Sequence, residues 1–148
     1  MKKEVKLYNV LFPLWMILMF PITWLVVLPG NFLIDSIVLV VGMYLLKIDN
    51  KKSFYIKNIF KIFAFGMLSD IIGGIYMIIL MVYFEVGRMG DEWYLTLPAF
   101  VISAAMIFIF DYFVSLRKSE KTVRLRLSLI FTVFTAPYTF FVPSEWLY

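Results

Sequence analysis

The sequence predicts an all-α integral membrane protein, a compact bundle of five transmembrane helices with the N-terminus cytoplasmic and the C-terminus outside. Three observations carry this prediction. Only 16% of the residues are charged while 63% are hydrophobic, with a mean hydropathy of +0.91, against about 25% charged in an ordinary soluble domain. Five apolar stretches follow one another with short polar breaks between them. With the N-terminus inside, 13 of the 14 Lys and Arg residues fall on the cytoplasmic side, leaving only Arg88 outside, as the positive-inside rule requires.

The 148 residues fit a single transmembrane domain, with spans at about 7–28, 32–48, 60–86, 93–114 and 125–142. The chain has no cysteine and no histidine. Disulfides, thiol chemistry, imidazole relays and Cys/His metal sites are therefore excluded. No metal and no cofactor are expected, and acid–base chemistry falls to carboxylates, Lys and Tyr. The net charge of +4 sits at the expected membrane edges. It points to the lipid bilayer as partner and not to nucleic acid.

Met1 to Lys6 is a short basic head before the apolar run Leu7 to Leu28, which Pro13 and Pro21 interrupt. The run is longer than a signal-peptide core and no small-residue cleavage site follows, so it reads as a signal anchor kinked at its prolines. Pro29, Gly30 and Asn31 read as a tight turn. Phe32 to Leu46 forms the second span, with Asn31 as N-cap and Lys47 reaching the interface. It carries Asp35 one turn in and Gly42 on the same face. Asp49 to Ser53 is a polar turn, and Phe54 to Lys61 is amphipathic, lying in the headgroup region before running on into the third span.

The third span, Ile62 to Phe84, is the centre of the chain. At 1.5 Å per residue it covers roughly 34 Å, enough for a hydrocarbon core of about 30 Å. Gly66, Asp70 and Gly74 recur every four residues and share one helix face, with Ser69 and Gly73 beside it. After the polar loop Glu85 to Glu92, the fourth span runs from Trp93 to Val114 with Asp111 near its end. Ser115 to Arg126 is the most basic segment. The fifth span, Leu127 to Val142, carries the stripe Ser128, Thr132, Thr135, Ala136 and Thr139, a pattern used for helix–helix contact in membranes. The glycines Gly66, Gly73 and Gly74, with Ser128 and Thr132, are the expected packing positions.

No phosphate-cradling loop, metal cluster or nucleophile elbow is present. The candidate functional groups are three acids within apolar spans, because ionisable residues there mark transport or binding pathways by default. The spacing places Asp35 about 6 Å past Asn31 in the outer leaflet, Asp70 roughly 13 Å past Lys61 as the deepest, and Asp111 near the inner surface. Each has a structural reading beside the functional one. Asp111 is placed to pair with Arg117, Lys118, Arg124 or Arg126 at the rim. The helix dipole favours a negative charge at Asp35. Asp70, with no cation at its depth, would need a hydrogen-bonding neighbour such as Thr132 or Tyr76.

Three functions follow. The first is a transporter or channel for protons or a small cation, with Asp70 as central site and Asp35 and Asp111 as outer and inner stations; a homo-oligomer would enclose its path more readily. The second is a non-catalytic scaffold, accessory or immunity subunit. The third, an intramembrane enzyme using Asp35 and Asp70 as acid and base, conflicts with their placement in opposite leaflets. Transport is the reading the sequence favours, in the plasma membrane of a bacterium, with multi-pass insertion.

Overall fold

The computed structural model describes residues 21–84 and 93–138. Those residues are helical throughout apart from turns. Helix α1 spans Pro21–Leu45, α2 Lys51–Phe84, α3 Trp93–Phe110 and α4 Lys121–Phe134, with a π-turn, Asp111–Ser115, continuing α3. Each helix packs against two neighbours: α1 against α2 and α4, α3 against α2 and α4. The result is a closed ring of four helices. Three of them are long and apolar enough to cross a membrane, over Trp24–Leu45, Lys51–Leu80 and Thr96–Ser115.

The outer faces are apolar, with Leu25, Leu33, Ile37, Ile75, Ile79, Val101 and Val133 all exposed. Polar groups lie inside: Asp35, Ser69, Thr96, Ser103, Asp111, Ser115 and Ser128 are buried. This inversion suits lipid as solvent, where apolar surface needs no covering and a polar group needs a partner. The apolar core sits towards one end, where Leu39 and Met43 of α1 meet Ile59 and Ile62 of α2, Ile107 of α3, and Leu127 and Phe131 of α4.

Helix α1 corrects the expected turn. It runs unbroken through Pro29, Gly30 and Asn31, so residues 21–45 form one helix and not the end of one span and the start of another. The physical reason is the solvent. Pro-Gly-Asn opens readily in water, which satisfies the freed backbone groups. In an apolar bundle a helix that passes through proline forfeits one hydrogen bond, whereas an opened turn strands several. Asn31 is accordingly not an N-cap; its Nδ2 donates to Met67 Sδ on α2 at 3.1 Å. The part of the first span before residue 21, and the loop at 85–92, lie outside the described residues.

Leu46 to Asn50 joins α1 to α2. Ile48 N donates to Met43 O at 3.0 Å and Lys47 N to Tyr44 O at 3.2 Å, with Lys47 left-handed at φ 51°. This is a Schellman close, with Lys47 where glycine is usual. Ile48 returns to pack on the core that holds Met43. The segment Phe54 to Lys61 runs on into the third span as expected, forming early turns of the unbroken α2, and packs into the bundle: Ile59 is buried, and Tyr55 shares a 2.9 Å hydrogen bond with Ser36 of α1.

The ten Lys and Arg among the described residues occupy the α1–α2 turn, the turn after α3 and the first turns of α2 and α4. The two turns border a common crevice, so these charges share one end of the bundle. Trp24, Tyr83 and Tyr94 mark the other end, at the start of α1, the end of α2 and the start of α3. Helix α4 ends at Thr135, whose N–H closes on Phe131 O at 2.8 Å, with Pro137 two residues beyond. Its 14 residues rise about 21 Å, short of a bilayer core; the expected fifth span does not continue as α-helix through 135–138, where the chain bends, and 139–142 lie outside the described residues.

Candidate functional site

Asp35 stands 14 residues after the start of α1 and 10 before its end. It is therefore a mid-helix residue, and the first-turn dipole argument for it fails together with the turn. Buried to 7% exposure, it faces α2. Its Oδ2 lies 3.7 Å from the position a Cβ would take on Gly66. Residues four apart on a helix have Cβ positions about 6 Å from each other, which brings this oxygen within about 10 Å of Asp70 Cβ.

Asp35 and Asp70 thus approach each other across Gly66, while Asp111 is buried in the same bundle at the start of the π-turn. Asp35 is within electrostatic reach of Asp70, and Asp111 of Asp35. The wide separation expected of Asp35 and Asp70 is not observed, because α1 does not begin at Asn31 and Asp35 lies in its middle, facing α2. On the same pair of helices, Phe32 packs edge-on to Phe63 at 5.5 Å.

Asp70 has a partner that spacing alone does not mark. Ser103 of α3 is fully buried, and its hydroxyl lies 3.2 Å from Asp70 Oδ1 and 3.1 Å from Ser69 O. Thr132 does not serve this role; its hydroxyl donates back to Ser128 O at 2.8 Å. The one signal for Ser103 in the sequence is its place at the head of Ser-Ala-Ala, the small-residue step in an otherwise bulky span.

Asp111 opens the π-turn, with Leu116 N donating to Asp111 O at 2.9 Å across five residues. Such turns are inserted where a side chain must be re-aimed, often at functional sites. Here the wide turn buries Asp111 and Ser115 together, each at 2% exposure. The rim salt bridge expected for Asp111 does not form. Among the described residues Arg124 instead lies over the Tyr112 ring, 4.2 Å from its centroid, and its Nη2 donates to the Tyr112 hydroxyl at 3.2 Å.

Three buried polar atoms nearby, Ser115 Oγ, Arg124 Nε and Ser128 Oγ, have no hydrogen-bond partner among the described residues. Unpaired donors and acceptors are expensive in a dry interior, so polar capacity here exceeds what the helices satisfy among themselves. No group of three acids among the described residues is spaced to cage a metal ion.

The packing positions divide. Gly66 is a seat for a carboxyl, not a point of backbone contact. Gly74 has nothing within 4 Å of a built Cβ, while Gly73 and Gly74 are both buried. The close helix approach is at Gly42, where a Cβ would meet Leu127 Cδ2 of α4 at 2.5 Å. Ser128, beside Leu127, is fully buried. No family model, curated protein or solved structure matches this chain, so its function is argued from this geometry.

Proposed function

We propose that this protein moves protons or a small monovalent cation across a membrane by way of Asp35, Asp70 and Asp111. The observation that carries the proposal is the approach of Asp35 to Asp70 across Gly66, with Asp111 buried in the same bundle and no Lys or Arg ion-paired to any of the three among the described residues. Three negative charges in one apolar bundle repel each other and lack water. Positive charge must join them, as bound protons or a bound cation. The π-turn and the unpartnered Ser115 and Ser128 hydroxyls supply further polar sites beside Asp111 for a mobile species.

The basic end is read as cytoplasmic, since Lys and Arg are retained on that side during insertion; a bacterial plasma membrane is the setting we favour. A second copy of the chain could widen the path between spans. The alternative is a non-catalytic scaffold in which the acids only tie helices together, and the Ser103–Asp70 hydrogen bond is the observation that favours it.

The test is proton and cation flux into liposomes carrying the purified chain, with Asp70→Asn alongside. The swap keeps shape and hydrogen-bonding capacity while removing the charge. Flux in the wild type that disappears in a folded Asp70→Asn supports transport. No flux in either protein, with equal thermal stability, leaves the scaffold.

A further inference from the structure

At the basic end, the turns joining α1 to α2 and α3 to α4 enclose a crevice of about 720 Å³. That volume lies within the usual range of ligand sites, roughly 300–1,000 Å³. Lys47, Lys57, Lys61 and Lys118 line it, against two acids, Asp49 and Glu120. Lys57 and Lys61 are one helical turn apart on α2, and the fold brings Lys47 and Lys118 to them from two different turns. Four lysines against two acids make the crevice net positive, and neither acid forms a salt bridge with the lysines among the described residues.

The helix geometry adds to this. Glu120 stands at the N-cap of α4 and lines the crevice, but its side chain makes no capping hydrogen bond to the first N–H groups of that helix. Free N–H groups at a helix start favour anions. Four lysines, an uncapped helix start and a cavity of this size form a cradle for a phosphate group. Its level in the molecule selects the source. Tyr44 and Tyr112, residues of the interfacial type, stand within one or two turns of the same end. Apolar side chains are exposed at the same level, Phe113 beside Tyr112 and Ile56 and Phe60 in the early turns of α2.

We infer that this crevice binds the phosphate headgroup of an anionic membrane phospholipid, with its acyl chains descending along the exposed apolar flank. The inference does not depend on what the interior acids do.

Native mass spectrometry of the full chain from detergent micelles doped with phosphatidylglycerol or phosphatidylcholine tests it. Phosphatidylglycerol should stay bound to the wild type, and retention should fall about tenfold in Lys57→Gln/Lys118→Gln, since each lysine near a membrane surface adds appreciably to anionic lipid binding. Lys52→Gln/Lys121→Gln, outside the crevice, should retain it as wild type does. Equal retention by all three proteins overturns the inference, as does equal retention of the two lipids by the wild type. Raising salt to about 0.5 M should release phosphatidylglycerol from the wild type by screening, a reading that needs no variant to fold. Inorganic phosphate that displaces the lipid at millimolar concentration would identify a soluble phosphate as the ligand and overturn the lipid assignment.

Discussion

Oδ2 of Asp35 rests 3.7 Å from the point where a side chain on Gly66 would begin, so the glycine of one helix is the seat for the acid of another. At that distance a methyl group makes ordinary van der Waals contact. Gly66→Ala should therefore fold, gaining up to about 1 kcal/mol of helix propensity, while Gly66→Leu should displace the Asp35 carboxyl. Thermal unfolding in detergent checks the first expectation. Flux checks the second, which predicts loss of transport in Gly66→Leu and retention in Gly66→Ala.

Gly42 answers differently, because its built Cβ would stand 2.5 Å from Leu127 Cδ2 and Leu127 is fully buried in the core. Gly42→Ala should destabilise by about 1–3 kcal/mol through overpacking. Adding Leu127→Ala makes room for the new methyl. The double variant should then be more stable than the two separate losses predict, and additive losses in thermal unfolding would show that α1 and α4 do not meet there.

Ser103 ties α3 to α2 at Asp70. Hydrogen bonds between membrane helices contribute about 0.6 kcal/mol on average, so Ser103→Ala should lower stability by roughly that amount. Ser103→Thr, which keeps the hydroxyl, should restore part of it. A Ser103→Ala protein with unchanged unfolding and unchanged flux would remove this residue from the site.

Lys47 holds a left-handed conformation at φ 51°, which penalises any residue with a Cβ. Lys47→Gly should raise stability by about 0.5–1 kcal/mol. A lower unfolding temperature would mean that the Lys47 side chain contributes more than its backbone strain removes.

The chain contains no cysteine, so single introduced cysteines report topology without background. Asp49→Cys marks the basic end and Tyr83→Cys the aromatic end. An impermeant maleimide added to intact cells should label Tyr83→Cys alone and reach Asp49→Cys only after lysis. Labelling of Asp49→Cys in intact cells would reverse the orientation.

Residence among lipids was legible in the sequence by itself. Apolar length, scarce charge and clustered Lys and Arg are local properties, and they survive whatever packing the helices choose. Asp35, Asp70 and Asp111 also stood out alone, because an acid within an apolar stretch is conspicuous from its chain neighbours. The approach of Asp35 to Asp70 was decided by the tertiary structure. It depends on how α1 slides along α2, and that register is set by contacts such as Asp35 on Gly66 and Asn31 on Met67, between residues more than 30 positions apart. The same holds for Ser103 on Asp70 and for Leu127 on Gly42. A proline–glycine–asparagine run specifies a turn in water, and only the apolar bundle around it, where no water replaces lost backbone hydrogen bonds, makes the unbroken helix the better solution.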